Sequence, residues 1–319
     1  MYSNNNSAVE LNQDQKIQKR RKKSSTISRR KYYGLLFILP FFILLGIFIV
    51  YPIAYSIFLS FHKWDGSILA PQFVGLDNYV ALFRDKFFYK SIFNTWLIWG
   101  VSFIPQLLLA IGLAVILSNF DIKGKGFFRW VYFLPVLVTM SSIANLVFFI
   151  MDWKTGILNQ ILMSLGVIQE QIQWLEKIPI ARLTISVTLC WMWFGFTMVI
   201  FMAGIKAIPL EYYEAGLVDG TNKWQEFWYI TLPCLRPSIT YNIVTSIIGG
   251  LTLYDVPAVI SASGAPQSTT LTMVMYLYNL GFRNYNMGYA ATIAMGLFVM
   301  VMFFVAIAYS MLMRNTQQD

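Results

Sequence analysis

Residues Ser91–Phe120 read SIFNTWLIWGVSFIPQLLLAIGLAVILSNF, thirty positions without a charged side chain. A helix rises about 1.5 Å per residue, so roughly 20 apolar residues cross the hydrocarbon layer of a bilayer. A segment this long and this apolar decides the class of the molecule. Five further charge-free runs match it: Tyr32–Phe61, Trp130–Met151, Leu183–Ile205, Pro237–Tyr254 and Asn284–Met313. A seventh, Val256–Phe282, contains Pro257, Gly264, Pro266 and Gln267. It reads as the end of helix five, a polar turn, and a short helix over about 271–282 that does not cross. The expected fold is an all-α membrane protein of six transmembrane helices.

Composition agrees. Of 319 residues, 57% are apolar and 12% charged, against about 25% charged in ordinary soluble domains. The 24 Lys and Arg exceed the 15 Asp and Glu, but nine of the basic residues lie in the first 31 positions. That is a basic tail rather than a basic face, so no nucleic-acid partner is expected. Two cysteines, Cys190 and Cys234, make no disulfide framework, and the single histidine, His62, leaves no cluster for a metal or a catalytic triad. No cofactor is expected.

The first run is too long for a cleavable signal, whose apolar stretch spans roughly 7–15 residues, so it reads as a retained anchor. Ahead of it, residues 1–31 read as a disordered cytoplasmic tail. Residues 32–314 form the membrane domain, and 315–319 a short cytoplasmic end. With the N-terminus inside, inner segments carry sixteen Lys and Arg and outer ones eight; without the tail the count is seven against eight. The tail therefore sets the expected orientation, both termini cytoplasmic.

The outer loop before span two carries an amphipathic stretch, Asn78–Phe93, and Asp152–Ala181 reads as a small outer cap. The inner loop 206–233 is long and mixed in composition, and long ordered loops are usually functional. Pro209 and Glu211 suit the first turn of a helix. Leu210, Tyr213, Ala215 and Leu217 give that helix an apolar side, and Gly220 permits a left-handed stop. A second helix starts at Thr221 or Asn222, presents Trp224, Phe227, Trp228 and Ile230, and is expected to end at Pro233. Taken alone, these residues suit either a compact two-helix knob or a helix pair lying flat on the membrane.

The loop resembles a known pattern. Glu214-Ala215-Gly216, then Gly220, Ile230 and Leu232-Pro233, matches six of the seven fixed positions of the EAA loop (E-A-A-x3-G-x9-I-x-L-P) in the membrane subunits of bacterial ABC importers. Gly216 replaces the second alanine, from which a slightly looser first helix is expected. Phe73-Val74-Gly75-Leu76-Asp77-Asn78-Tyr79, Tyr132-Phe133-Leu134-Pro135 and Gly288-Tyr289-Ala290-Ala291 are similar to the carbohydrate branch, the maltose- and glycerol-phosphate-type permeases. The resemblance implies half of a membrane pathway for an oligosaccharide or related polyol in the bacterial cytoplasmic membrane. It also implies two cytoplasmic ATPase subunits, a second homologous permease and an external substrate-binding protein. The ATPase-coupling residues would be Glu214, Ala215, Gly216, Asp219, Gly220, Ile230, Leu232 and Pro233. The chain has no G-x-x-x-x-G-K-[ST] phosphate loop of its own, so no ATPase activity is expected of it.

Sugar recognition needs aromatic platforms beside polar groups. By distance from the loop, as in the family's sugar permeases, the expected path residues are Trp193 and Phe196 in span four and Tyr254 and Asp255 at the end of span five. Thr139 or Ser141 would contribute from span three. Asp255 has a second reading, a structural cap on the Ser261–Ser263 turn. Gln106, Asn145 and Asn242 read as interhelical hydrogen-bonders. Against the importer stands a self-sufficient ion-coupled carrier. Such a carrier generally needs ionisable groups within the membrane, and the spans offer only Asp255, at a border. A channel leaves the loop pattern unexplained, and no paired carboxylates or nucleophile suggest an enzyme.

Overall fold

The computed structural model describes residues 36–119, 122–261 and 264–313; the basic tail and the last six residues lie outside these. Contacts divide the chain into Met1–Phe58 and Leu59–Asp319. In the first unit, α1 (Leu36–Ser60) is apolar on every side and contains one π-helical turn, Gly46–Val50; its last two residues belong to the second unit.

The second unit opens with a short hairpin, β1 (His62–Lys63) against β2 (Gln72–Phe73), His62 facing Phe73. Then come α2 (Asp77–Arg84) and α3 (Lys86–Asn119), the latter running on through Pro105. The expected amphipathic stretch is thus split: α2 ends at Arg84, and Asp85 caps the next helix with bonds from the Phe87 and Phe88 amides.

Span three is not one straight helix. α4 (Lys125–Leu137) and α5 (Met140–Met151) meet at 94°. Val138 and Thr139 are extended, and the Thr139 hydroxyl accepts the Ser142 amide at 3.3 Å. A hydroxyl two residues beyond the end of α4 thus starts a new helix in a new direction. The outer cap follows, with α6 (Ile157–Ser164) held by buried Asn159, which bonds Trp153, Ile172 and Trp174.

The long α7 (Ile178–Lys206) packs along α3 and α4. At Gly195 a Cβ would stand 1.8 Å from the Tyr132 carbonyl oxygen, so α4 and α7 approach as only a glycine allows. α8 (Leu210–Val218) and α9 (residues 223–234) form the inner loop. α10 (Arg236–Leu251) and α11 (Asp255–Ile260) make up span five, broken at residues 252–254. α12 (Met273–Tyr278) continues as a π turn, Asn279–Arg283, and α13 (Met287–Met313) is span six. Together these are five candidate spans, six if the bent pair counts as one, and the short β hairpin is the only strand pairing among the described residues.

Three apolar clusters lie between these helices. The first gathers Ile98, Ile143, Ile185 and Val256; the second Ala110, Phe201 and Leu235; the third Leu82, Ile247, Met273 and Ile293. The polar turn after α11 is tied down from two helices: Arg182 donates to the Thr269 carbonyl and to Asn94 Oδ1, while Asn94 donates to the Ser268 and Leu271 carbonyls.

Candidate functional site

A cavity of about 450 Å³ opens among α3, α5, α7 and α10–α11. Four of the six expected path residues line it: Trp193, Phe196, Tyr254 and Asp255. Trp193 and Phe196 are half-buried and meet edge to face, ring centroids 6.0 Å apart. Asp255 is the first residue of α11, exposed. Among the described residues, which leave out 262 and 263 of the polar turn, no hydrogen bond joins its carboxylate to that turn. Ser261 bonds the Ala265 carbonyl and the Thr270 hydroxyl instead.

Thr139 and Ser141 do not line the cavity; Met140 between them does. The Thr139 hydroxyl is committed to capping α5 and to Ser142 Oγ at 2.8 Å. With Met140 turned to the cavity, its neighbours on either side point about 100° round from it and so face elsewhere.

Trp99, Gln106, Tyr241 and Asn242 also line the cavity; none was expected as a path residue, Gln106 and Asn242 having read only as interhelical hydrogen-bonders. Gln106 Nε2 donates to Thr197 Oγ1 at 2.9 Å, joining α3 to α7 as expected of an interhelical bond. Asn145 and Asn242 instead bond carbonyls of their own helices, those of Ser141 and Ser238. A signal for this wall was present: Ser238, Asn242, Ser246 and Gly250 recur every fourth residue, a polar and small stripe along one helix face. Gly250 takes the Trp99 indole, where a Cβ would stand 1.8 Å from its Cδ1, and the indole N–H donates to Ser246 Oγ at 2.9 Å. The wall thus offers aromatic faces, neutral hydroxyls and amides, and one carboxylate.

The inner loop is a compact knob. α8 ends on Gly220 at φ +76°, with the Gly220 amide on the Leu217 carbonyl at 3.1 Å and the Thr221 amide on the Gly216 carbonyl at 2.9 Å; this is the left-handed double-bonded stop. Asn222 then caps α9 in a reciprocal pair with Gln225. Tyr213 and Thr231 hydroxyls meet at 3.1 Å, tying the two helices.

Two expectations for this loop are corrected. Gly216 does not slacken α8: it is buried, and a Cβ there would lie 2.8 Å from Ile230 Cδ1, so its missing side chain lets α9 pack close. Pro233 does not end α9, which runs on through Cys234. The π turn Phe227–Thr231 just ahead shifts the carbonyl register, with the Leu232 amide bonding Phe227, and this accommodates a ring that an unbroken α-helix rejects. Glu214, Ala215, Asp219 and Gly220 are exposed, whereas Ile230, Leu232 and Pro233 are half-buried. Glu214 makes no ion pair among the described residues. Glu226 instead is buried and held by Lys223 Nζ at 2.8 Å.

Residues 106–314 match the family described as binding-protein-dependent transport system inner membrane component. The lactose transport system permease protein LacF of Rhizobium radiobacter is 34% identical over 283 residues, 87% of this chain and 94% of that protein. The arabinooligosaccharides transport system permease protein AraP of Bacillus subtilis is 32% identical over 273 residues, 84% of each. A chain in the crystal structure of a bacterial alginate ABC transporter, in complex with an alginate pentasaccharide-bound periplasmic protein, superposes with a TM-score of 0.79. It shares 24% identity and covers 90% of this chain and 96% of that one; at this identity it shows the fold alone.

Proposed function

The chain belongs to the inner-membrane components of binding-protein-dependent transport systems, and from that premise we propose that its cavity is one half of the membrane passage of an ATP-driven oligosaccharide importer. The lactose and arabino-oligosaccharide systems of the relatives support the sugar class. The observation that carries the reading is the cavity wall, in which Trp193, Phe196 and Tyr254 stand beside Gln106, Asn242 and Asp255. Apolar C–H faces of a sugar stack on rings while its hydroxyls exchange hydrogen bonds with neutral polar groups and the carboxylate.

Trp193 and Phe196 supply the stacking faces, and Asp255 accepts from sugar hydroxyls. The second half of the passage comes from a homologous permease subunit, and an external binding protein delivers the sugar. ATP is hydrolysed by two cytoplasmic subunits, into which the knob docks through the exposed Glu214, Ala215 and Asp219. Buried Gly216 and the turn at Gly220 shape the knob, and Ile230, Leu232 and Pro233 brace it. Closure of the ATPases moves it as one body and carries α7 and α10, which flank it in the chain, along. The basic tail, drawn to the cytoplasmic side, supports both termini lying there.

The test is uptake by the four-subunit complex in proteoliposomes, with the binding protein outside. A panel of labelled lactose and arabino-oligosaccharides should yield ATP-dependent accumulation of at least one sugar. Trp193→Ala and Asp255→Ala should each lower it roughly tenfold, if each lost contact contributes about 1.4 kcal/mol. Uptake that ignores ATP and follows an imposed ion gradient would establish a secondary carrier instead.

A further inference from the structure

A row of rings leads out of the cavity. Tyr254, which lines it, has its ring centroid 5.1 Å from that of Tyr278 on α12, and Tyr278 lies 5.1 Å from Phe282 in the π turn. Tyr278 and Phe282 are four residues apart and so share one helix face. Exposure rises along the row, from half-buried Tyr254 through 37% at Tyr278 to 57% at Phe282. Neither Tyr278 nor Phe282 belongs to any of the three apolar clusters. The direction is set by the chain: α10 runs away from the knob and α13 starts back toward it, so Phe282 lies at the face opposite the knob. The sequence around the row is polar, with Asp255 following Tyr254, Asn279 following Tyr278, and Arg283 and Asn284 following Phe282.

We infer that Tyr254, Tyr278 and Phe282 form a stacking track on which successive sugar rings of an oligosaccharide rest while the chain passes from the face opposite the knob into the cavity. The inference rests on the reading of the cavity as a sugar passage. Evenly spaced rings bind a repeating ligand in register and let it advance ring by ring, since no single contact dominates. A monosaccharide occupies the cavity alone, whereas a longer chain also occupies the track. The track therefore discriminates by chain length.

The experiment uses the reconstituted complex and the sugar returned by the uptake panel, supplied in forms of one to five units. Phe282→Ala and Tyr278→Ala should raise the KM for four- and five-unit chains about threefold to tenfold per ring lost, and leave the shortest substrate within twofold. Phe282→Trp should keep the chain-length profile. Phe282→Leu, which keeps apolar bulk but no ring, should behave like the alanine variant. Trp193→Ala should impair all lengths, and if it impairs none the cavity reading itself fails. If Trp193→Ala impairs uptake while Phe282→Ala and Tyr278→Ala slow every length equally, or none, the track is overturned and the cavity reading stands. A leucine at 282 that transports long chains normally also overturns it.

Discussion

Asp85 gathers four donors on one carboxylate: the Phe87 and Phe88 amides, and the Tyr276 and Tyr289 hydroxyls, the latter at 2.7 Å. It thereby pins the start of α3 to α12 and α13. Burial pushes the carboxyl up, but the hydrogen bonds outweigh it and hold the group below the ordinary carboxylate range. Burial and the neighbouring Asp85 push the Tyr276 phenol the other way, well above its ordinary value. A depressed carboxylate contributes stability that is present above its unfolded value, about 3.9, and is lost as pH falls through the folded one. The thermal midpoint of the purified protein should accordingly begin to drop as pH falls below about 5 and go on dropping until pH has passed the folded value. Asp85→Asn should lower the midpoint at pH 7 and flatten that acid fall. An unchanged acid profile in the variant would remove Asp85 from the account. No pattern in the sequence marked this residue, because its partners lie 191 and 204 positions away.

Among elements, the knob was the most legible. Gly220 as a left-handed stop and a cap at Thr221 or Asn222 follow from local chemistry, which needs no distant partner, and the structure selects Asn222. The π turn before Pro233 was not legible, since a proline normally signals a helix end. Gly220→Pro tests the element as a lever. Proline fixes φ near −65° and removes the amide that bonds Leu217, whereas this position sits at φ +76°. The variant should reach the membrane at normal levels yet lose ATP-driven uptake to background in the proteoliposome assay; full transport would mean the knob is not the coupling element. Span three shows the converse case. Its charge-free run is continuous, but the run cannot record that Thr139 turns its hydroxyl to Ser142 and redirects the helix.

At the scale of the whole molecule, six alternating spans, the bent pair counted as one, would put Asp77 and the C-terminal end on opposite sides of the membrane. A phosphatase reporter inserted after Asp77 should be active outside the cytoplasm, and a fluorescent reporter after Asp319 should be bright inside it. Replacing Arg20–Lys23 and Arg29–Lys31 by neutral residues should scramble this pattern, since the remaining loops carry no bias. Unchanged orientation in that variant would mean that the helices or a partner subunit set the topology.

Sequence alone determined the membrane class, the number of spans, the two-helix loop with its glycine turn, and through the loop's motif the transporter family. Each of these depends on local periodicity, on the absence of charge over roughly 20 residues, or on spacing within one short segment. The tertiary structure decided the rest: the 94° bend in span three, the placing of Met140 rather than Thr139 or Ser141 on the cavity wall, and the Gly195 and Gly250 contacts that set how closely helices meet. It also decided that Trp99 and Gln106 share a wall with Trp193 and Tyr254. Which face of an all-apolar helix turns inward leaves no trace in its own hydrophobic pattern, because lipid and protein interior are equally apolar solvents. Only the packing of one helix on another selects it.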